Sequence, residues 1–164
     1  AVLDTLQGAE LDPTVVVTFT TSEELGLRGA RTVANQLSPS IAIALEGTTA
    51  VDVPGVSGAK KLASMGKGPA LTIADASAVT SRAVTDLLCT IGNEENIPYQ
   101  RKLPGGGGTN AAAYQPVGDG ALVGVVAVPC RYIHAPLSML RPSDLQATID
   151  LTTAFVKGSS ALLG

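Results

Sequence analysis

Short apolar runs rich in β-branched residues alternate along this chain with stretches of helical period, and that alternation restricts the fold to the α/β class. Residues 14–20 read as a strand apolar enough for the middle of a sheet, and 41–45 as a second that stops at Glu46 and Gly47. Further strands are expected around 70–74, at 98–103 and at 121–128, the last ending at Pro129. Helical periodicity marks 27–37 and 79–94, where Val79, Ala83, Leu87, Leu88 and Ile91 can line one face. A short helix is expected near 110–114. Ser143 and Gln146, behind Pro142, form a capping-box signal for a last helix reaching about Lys157. Parallel strands joined by helices need cover on both faces. The expected architecture is therefore a mostly parallel central sheet flanked by helices, one domain over residues 1–164. Residues 1–7 read as the middle of a helix closed by Gly8, with neither initiator Met nor cap, so a segment is expected to precede Ala1 and the sheet to be incomplete on its amino-terminal side.

Composition excludes several function classes. With 45% hydrophobic and 15% charged residues the chain is not of disordered type. A net charge of −3 with eleven scattered Lys and Arg leaves no basic stripe for phosphates, so nucleic acid is not an expected partner. No apolar run approaches a membrane span and no basic segment opens the chain, which leads us to expect a cytoplasmic protein without a membrane partner. Cys89 and Cys130 read as buried thiols in a reducing compartment.

In open α/β sheets sites form at the carboxyl ends of strands. That rule selects Glu23 and Glu24 after the first expected strand, Glu46 at the end of the second, and His134, the single histidine, beyond the last. Carboxylates and imidazole are the usual ligands of zinc and related ions, and a neighbouring carboxylate outside the coordination sphere can take a proton from a bound water. Each residue also has a plainer reading. Thr21 to Glu24 could cap the next helix, Glu46 could be a polar strand end, and a lone histidine is more often structural. The glycine run at 105–108 and the Gly66-Lys67-Gly68 turn lack the ending of a phosphate-binding loop. No Gly-x-Ser-x-Gly elbow occurs, so a serine nucleophile has no support.

The stretch from Thr21 to Ala30 resembles the Glu-Glu-Val-Gly-Leu-Arg-Gly-Ala segment of the deblocking or glutamyl aminopeptidases, whose members assemble as tetrahedral TET particles. Four more segments resemble the family in the same order: Ala44 to Glu46 with Val51 to Gly55, then Gly66 to Ala70, Gly107 to Ala111, and Pro129 to His134. The resemblance implies a two-metal aminopeptidase fold and a hydrolase acting on peptide substrates. It implies two divalent ions, zinc or cobalt, and a homo-oligomer. Carried over by position, Glu23 would be the general base acting on a metal-bridging water, Glu24 and His134 would bind one metal, and Glu46, where the family has Asp, would bind the other. Asn110 stands where the family has Asp. A further His, a bridging Asp and an inserted domain would lie upstream of Ala1, so residues 1–164 alone are expected to be inactive. Two other readings stay open: a carboxylate-based glycoside hydrolase, poorly suited to a chain with 3% aromatics and no Trp, and a non-catalytic truncated domain.

Overall fold

The computed structural model describes residues 1–56, 62–102 and 104–163. The order of elements is α1 (Val2–Thr5), α2 (Arg28–Leu37), β1 (Ile41–Thr49), β2 (Ala70–Thr72), α3 (Arg82–Glu94), β3 (Gln100–Lys102), α4 (Ala111–Tyr114), β4 (Leu122–Arg131), β5 (Met139–Leu140) and α5 (Pro142–Gly158), followed by a 3₁₀ turn at Ser159–Leu162. The sheet runs β1-β4-β2-β3, with β5 on β4. β1 and β4 are parallel, as are β2 and β3, while β2 and β5 each run antiparallel to β4. The result is a mixed sheet with mostly parallel pairing and helices on both faces.

β4 is the spine, with Val123 to Cys130 all buried. Its side chains alternate between two cores. Val123 and Val125 join Ala111 and Ala121 on one face, while Val126 joins Leu71, Val84, Leu88, Leu151 and Phe155 on the other, beneath α3 and α5. Gly124 shares that second face because nothing larger fits: an added Cβ would lie 2.6 Å from Val84 Cγ1 and 2.9 Å from Ile43 Cδ1. Its small volume lets α3 approach the sheet.

Asp144, only 1% exposed, anchors the long connection before β2 to the start of α5. Its carboxylate accepts hydrogen bonds from the Gly66 and Gly68 backbone N–H groups at 2.7 and 2.9 Å. Both cysteines are buried free thiols. No helix among the described residues is long and apolar enough to cross a membrane.

Several elements differ from expectation. Residues 14–20 form no strand. They have no backbone ladder partner, and Val15, Val16, Val17 and Phe19 are exposed. β-branched composition favours extended backbone, but a strand exists only where a neighbour completes its hydrogen bonds. β1 continues past Glu46 to Thr49, and β4 past Pro129 to Arg131, because the parallel register holds from Ile41 opposite Leu122 through Thr49 opposite Cys130. Helix α3 starts three residues later than the periodicity suggests. Val79 and Ala83 are exposed, and Val84, Leu88 and Ile91 form the core face. Leu103 lies outside the described residues. Pro142 occupies the first turn of α5 with Arg141 as cap, so Ser143 caps nothing; Gln146 instead donates to Asp150 at 2.8 Å. Nor does the Thr21 to Glu24 stretch cap a helix, since α2 begins only after Leu27.

Candidate active site

Two tight turns bring the acidic and imidazole groups together. The first runs from Ser22 to Gly29. Ser22 adopts the left-handed conformation at φ 57°, the Glu23 carbonyl accepts from Gly26 and Leu27 N–H, and Gly29 packs so closely that a Cβ would lie 2.6 Å from the Thr21 nitrogen. With its carbonyl fixed inside the turn, Glu23 leaves its own side chain and that of Glu24 free. The second turn follows β4, where Tyr132 and His134 both hold positive φ, 59° and 64°. A left-handed conformation is costly for a bulky residue and clusters at functional sites. Here it directs the imidazole back towards the first turn.

His134 Nδ1 lies 3.4 Å from Glu24 Oε1, with both side chains well exposed. Glu23 is half-buried beside them. Glu46, from β1 opposite Ala127, lines the same cavity, whose volume is about 820 Å³. All four residues singled out from the sequence therefore share one cavity.

The electrostatics of the two inner carboxyls are unusual. Burial raises the Glu23 carboxyl above its ordinary value, the Glu24 charge raises it further, and His134 opposes both. Burial pushes Glu46 to about 7 against the pull of Lys102, with Glu23 and Asp75 adding repulsion. Crowded acids that resist ionisation mark a place prepared for positive charge. Asp75 and Asn110, which line the same cavity, each keep a buried side-chain oxygen without a donor.

Such a donor set suits a divalent ion of the zinc type. Glu24 and His134 could supply two of the three or so protein ligands a catalytic ion takes, and Glu46 is a further candidate donor on the inner side. Among the described residues no three His, Cys, Asp or Glu side chains stand close enough to enclose an ion. The donors present thus fit part of a metal site.

Lys102, Asp75 and Arg31 line the cavity without having been anticipated from the sequence. For Lys102 the cause is topological. β3 is parallel to β2, which is antiparallel to β4, so a search at the carboxyl ends of β1 and β4 passes over it.

The fold and cavity define an α/β domain that gathers carboxylates and one imidazole in a single cleft. Residues 1–151 match the M42 glutamyl aminopeptidase family, and the chain belongs to it. Among solved structures, an aminopeptidase of the archaeon Desulfurococcus kamchatkensis is 35% identical with a TM-score of 0.82, over 85% of this chain and 40% of that one. A TET aminopeptidase from a marine-sediment Thaumarchaeota archaeon is 33% identical with a TM-score of 0.91, over 95% of this chain and 44% of that one. The lysyl aminopeptidase of Pyrococcus furiosus is 28% identical over 152 residues, 92% of this chain and 42% of the relative. The chain thus spans less than half the length of these relatives.

Proposed function

We propose that this chain supplies the general base and part of the metal-binding shell of an aminopeptidase that removes residues from the amino termini of peptides. The carrying observation is the 3.4 Å approach of His134 to Glu24 in a cavity shared with Glu23 and Glu46. Glu24 and His134 would hold one divalent ion and Glu46 another, zinc or cobalt as the family resemblance implies. When bound, the ions supply Lewis-acid polarisation of the scissile carbonyl and acidify the attacking water.

Glu23 accepts the proton from that water and delivers it to the leaving amine. Its raised carboxyl pKa suits this role, because a base poised nearer neutrality both takes and returns a proton readily. The turn that fixes its backbone places its side chain next to that of Glu24 in the cavity. The exposed Phe19, Tyr132, Leu137 and Met139 are consistent with a protein that self-associates. Paired-carboxylate glycoside hydrolysis has less support, since among the described residues no Phe, Tyr or Trp lines the cavity to receive a sugar ring.

Glu23→Gln in the complete protein tests the division of roles. We expect turnover of aminoacyl anilides to fall by about 100- to 10,000-fold with metal content retained. Loss of metal in Glu23→Gln together with its retention in Glu24→Gln would reverse the assignment.

A further inference from the structure

The turn that presents His134 is held from behind by two residues that the proposed chemistry leaves without a task. Among the described residues the imidazole has one polar side-chain partner, Glu24 at 3.4 Å, and its own side chain is 63% exposed. Side-chain packing therefore does little to aim it, and its direction follows from the backbone beneath. There Tyr132 and His134 both hold positive φ, a costly conformation that persists only where surrounding contacts over-determine it.

Those contacts begin at Arg131, the last residue of β4 and three before His134. Its Nε donates to Asp52 Oδ1 at 2.7 Å and its Nη2 to the Asp52 carbonyl at 3.4 Å. The Asp52 side chain is only 9% exposed, and its second oxygen accepts from Met65 N–H at 2.9 Å, so the carboxylate is itself fixed on both sides. A charge-assisted pair enclosed in this way holds its geometry as an exposed pair does not. Just before Asp52, Ala50 N–H donates to the Cys130 carbonyl at 2.8 Å and ties the chain leaving β1 to the end of β4. On the cavity side Ile133 seats against Gly47, where an added Cβ would lie 3.3 Å from Ile133 Cδ1. Tyr132 is thus gripped through both of its neighbours, and the bend that carries His134 has little freedom left.

We infer that Asp52 and Arg131 are the positioning pair for His134: they fix the turn that aims the imidazole at Glu24, and so set the affinity of the metal site those two residues share. The inference rests on the reading of His134 as a metal ligand and deepens it by naming what orients that ligand. Partners that orient a metal-binding imidazole commonly hydrogen-bond its second ring nitrogen. Here the hold is on the backbone instead. A pair with a purely structural role would change stability without acting through His134, and a double-mutant cycle separates the two.

The cycle uses the complete protein, with zinc affinity measured by competition against a chromophoric chelator. His134→Ala defines the site that the imidazole serves. Asp52→Asn should lower zinc affinity at that site by about 10- to 100-fold in the wild-type background. In the His134→Ala background the same change should cost less than about 2-fold, because no imidazole is left to orient. Arg131→Lys keeps the charge but loses the two-pronged grip, so it should give a smaller loss with the same dependence on His134, and it carries the test if Asp52→Asn does not fold. Equal losses in both backgrounds, or unchanged zinc affinity in Asp52→Asn and Arg131→Lys, would overturn the positioning role while leaving His134 a ligand. Unchanged zinc affinity in His134→Ala would overturn both.

Discussion

In the metal-free protein Glu46 should be a net liability to stability whose size can be read from pH dependence. Its carboxyl keeps a proton to about pH 7, against an ordinary value of 4.5, because burial disfavours the anion. Between those two values the folded state binds more protons than the unfolded chain, so stability falls as pH rises and the full penalty is present above the higher value. An interval of about 2.5 units at about 1.4 kcal/mol each bounds the loss at about 3.5 kcal/mol. Glu46 lines an open cavity where water screens its charge, which reduces the expected loss to about 1–2 kcal/mol. Glu46→Gln removes the titration at almost constant volume. Urea unfolding of the metal-free proteins at pH 5 and pH 8 should show wild type losing about 1–2 kcal/mol relative to the variant, which becomes the more stable of the two at pH 8. Saturating zinc should favour wild type again through ligand linkage. Parallel stability profiles for the two proteins between pH 5 and 8 would refute the reasoning.

His134→Ala and Glu24→Gln should each lower bound zinc after dialysis against a limiting chelator, by about 10-fold or more in affinity, as measured by metal analysis. Asp144→Ala should destabilise the fold by about 2–4 kcal/mol in urea unfolding, because two glycine N–H groups lose a buried charged acceptor. Should Asp144→Ala unfold with wild-type stability, the connection before β2 is held by other contacts.

The parts of this structure legible in the sequence are those governed by local pattern. Helix α2, the start of β1 and the core of β4 follow from apolar runs and turns, whereas Glu23, Glu24, Glu46 and His134 share a cavity although residues 14–20 form no strand and β1 runs on past Glu46 to Thr49. What escaped depends on pairing across the sheet. Residues 14–20 have strand composition and no ladder partner, whereas Pro129, which reads as a stop, stays in β4 opposite Thr48 because neighbouring strands hold the register. The face of α3 shifted because its first turn begins after Ser81, whose Oγ accepts from Val123 N–H in the sheet. Lys102 was hidden by the antiparallel step between β4 and β2, a property of strand order that periodicity does not encode.

Release of the amino-terminal residue from an unblocked peptide by the complete protein, with zinc or cobalt added and then removed by chelation, tests the central claim most directly. Stepwise loss of amino-terminal residues that stops on chelation, returns with metal, and spares the same peptide when its amino terminus is acetylated is the predicted result. Metal-independent cleavage, or cleavage of the acetylated peptide at the same rate, would contradict the assignment of Glu23, Glu24, Glu46 and His134 to an aminopeptidase site.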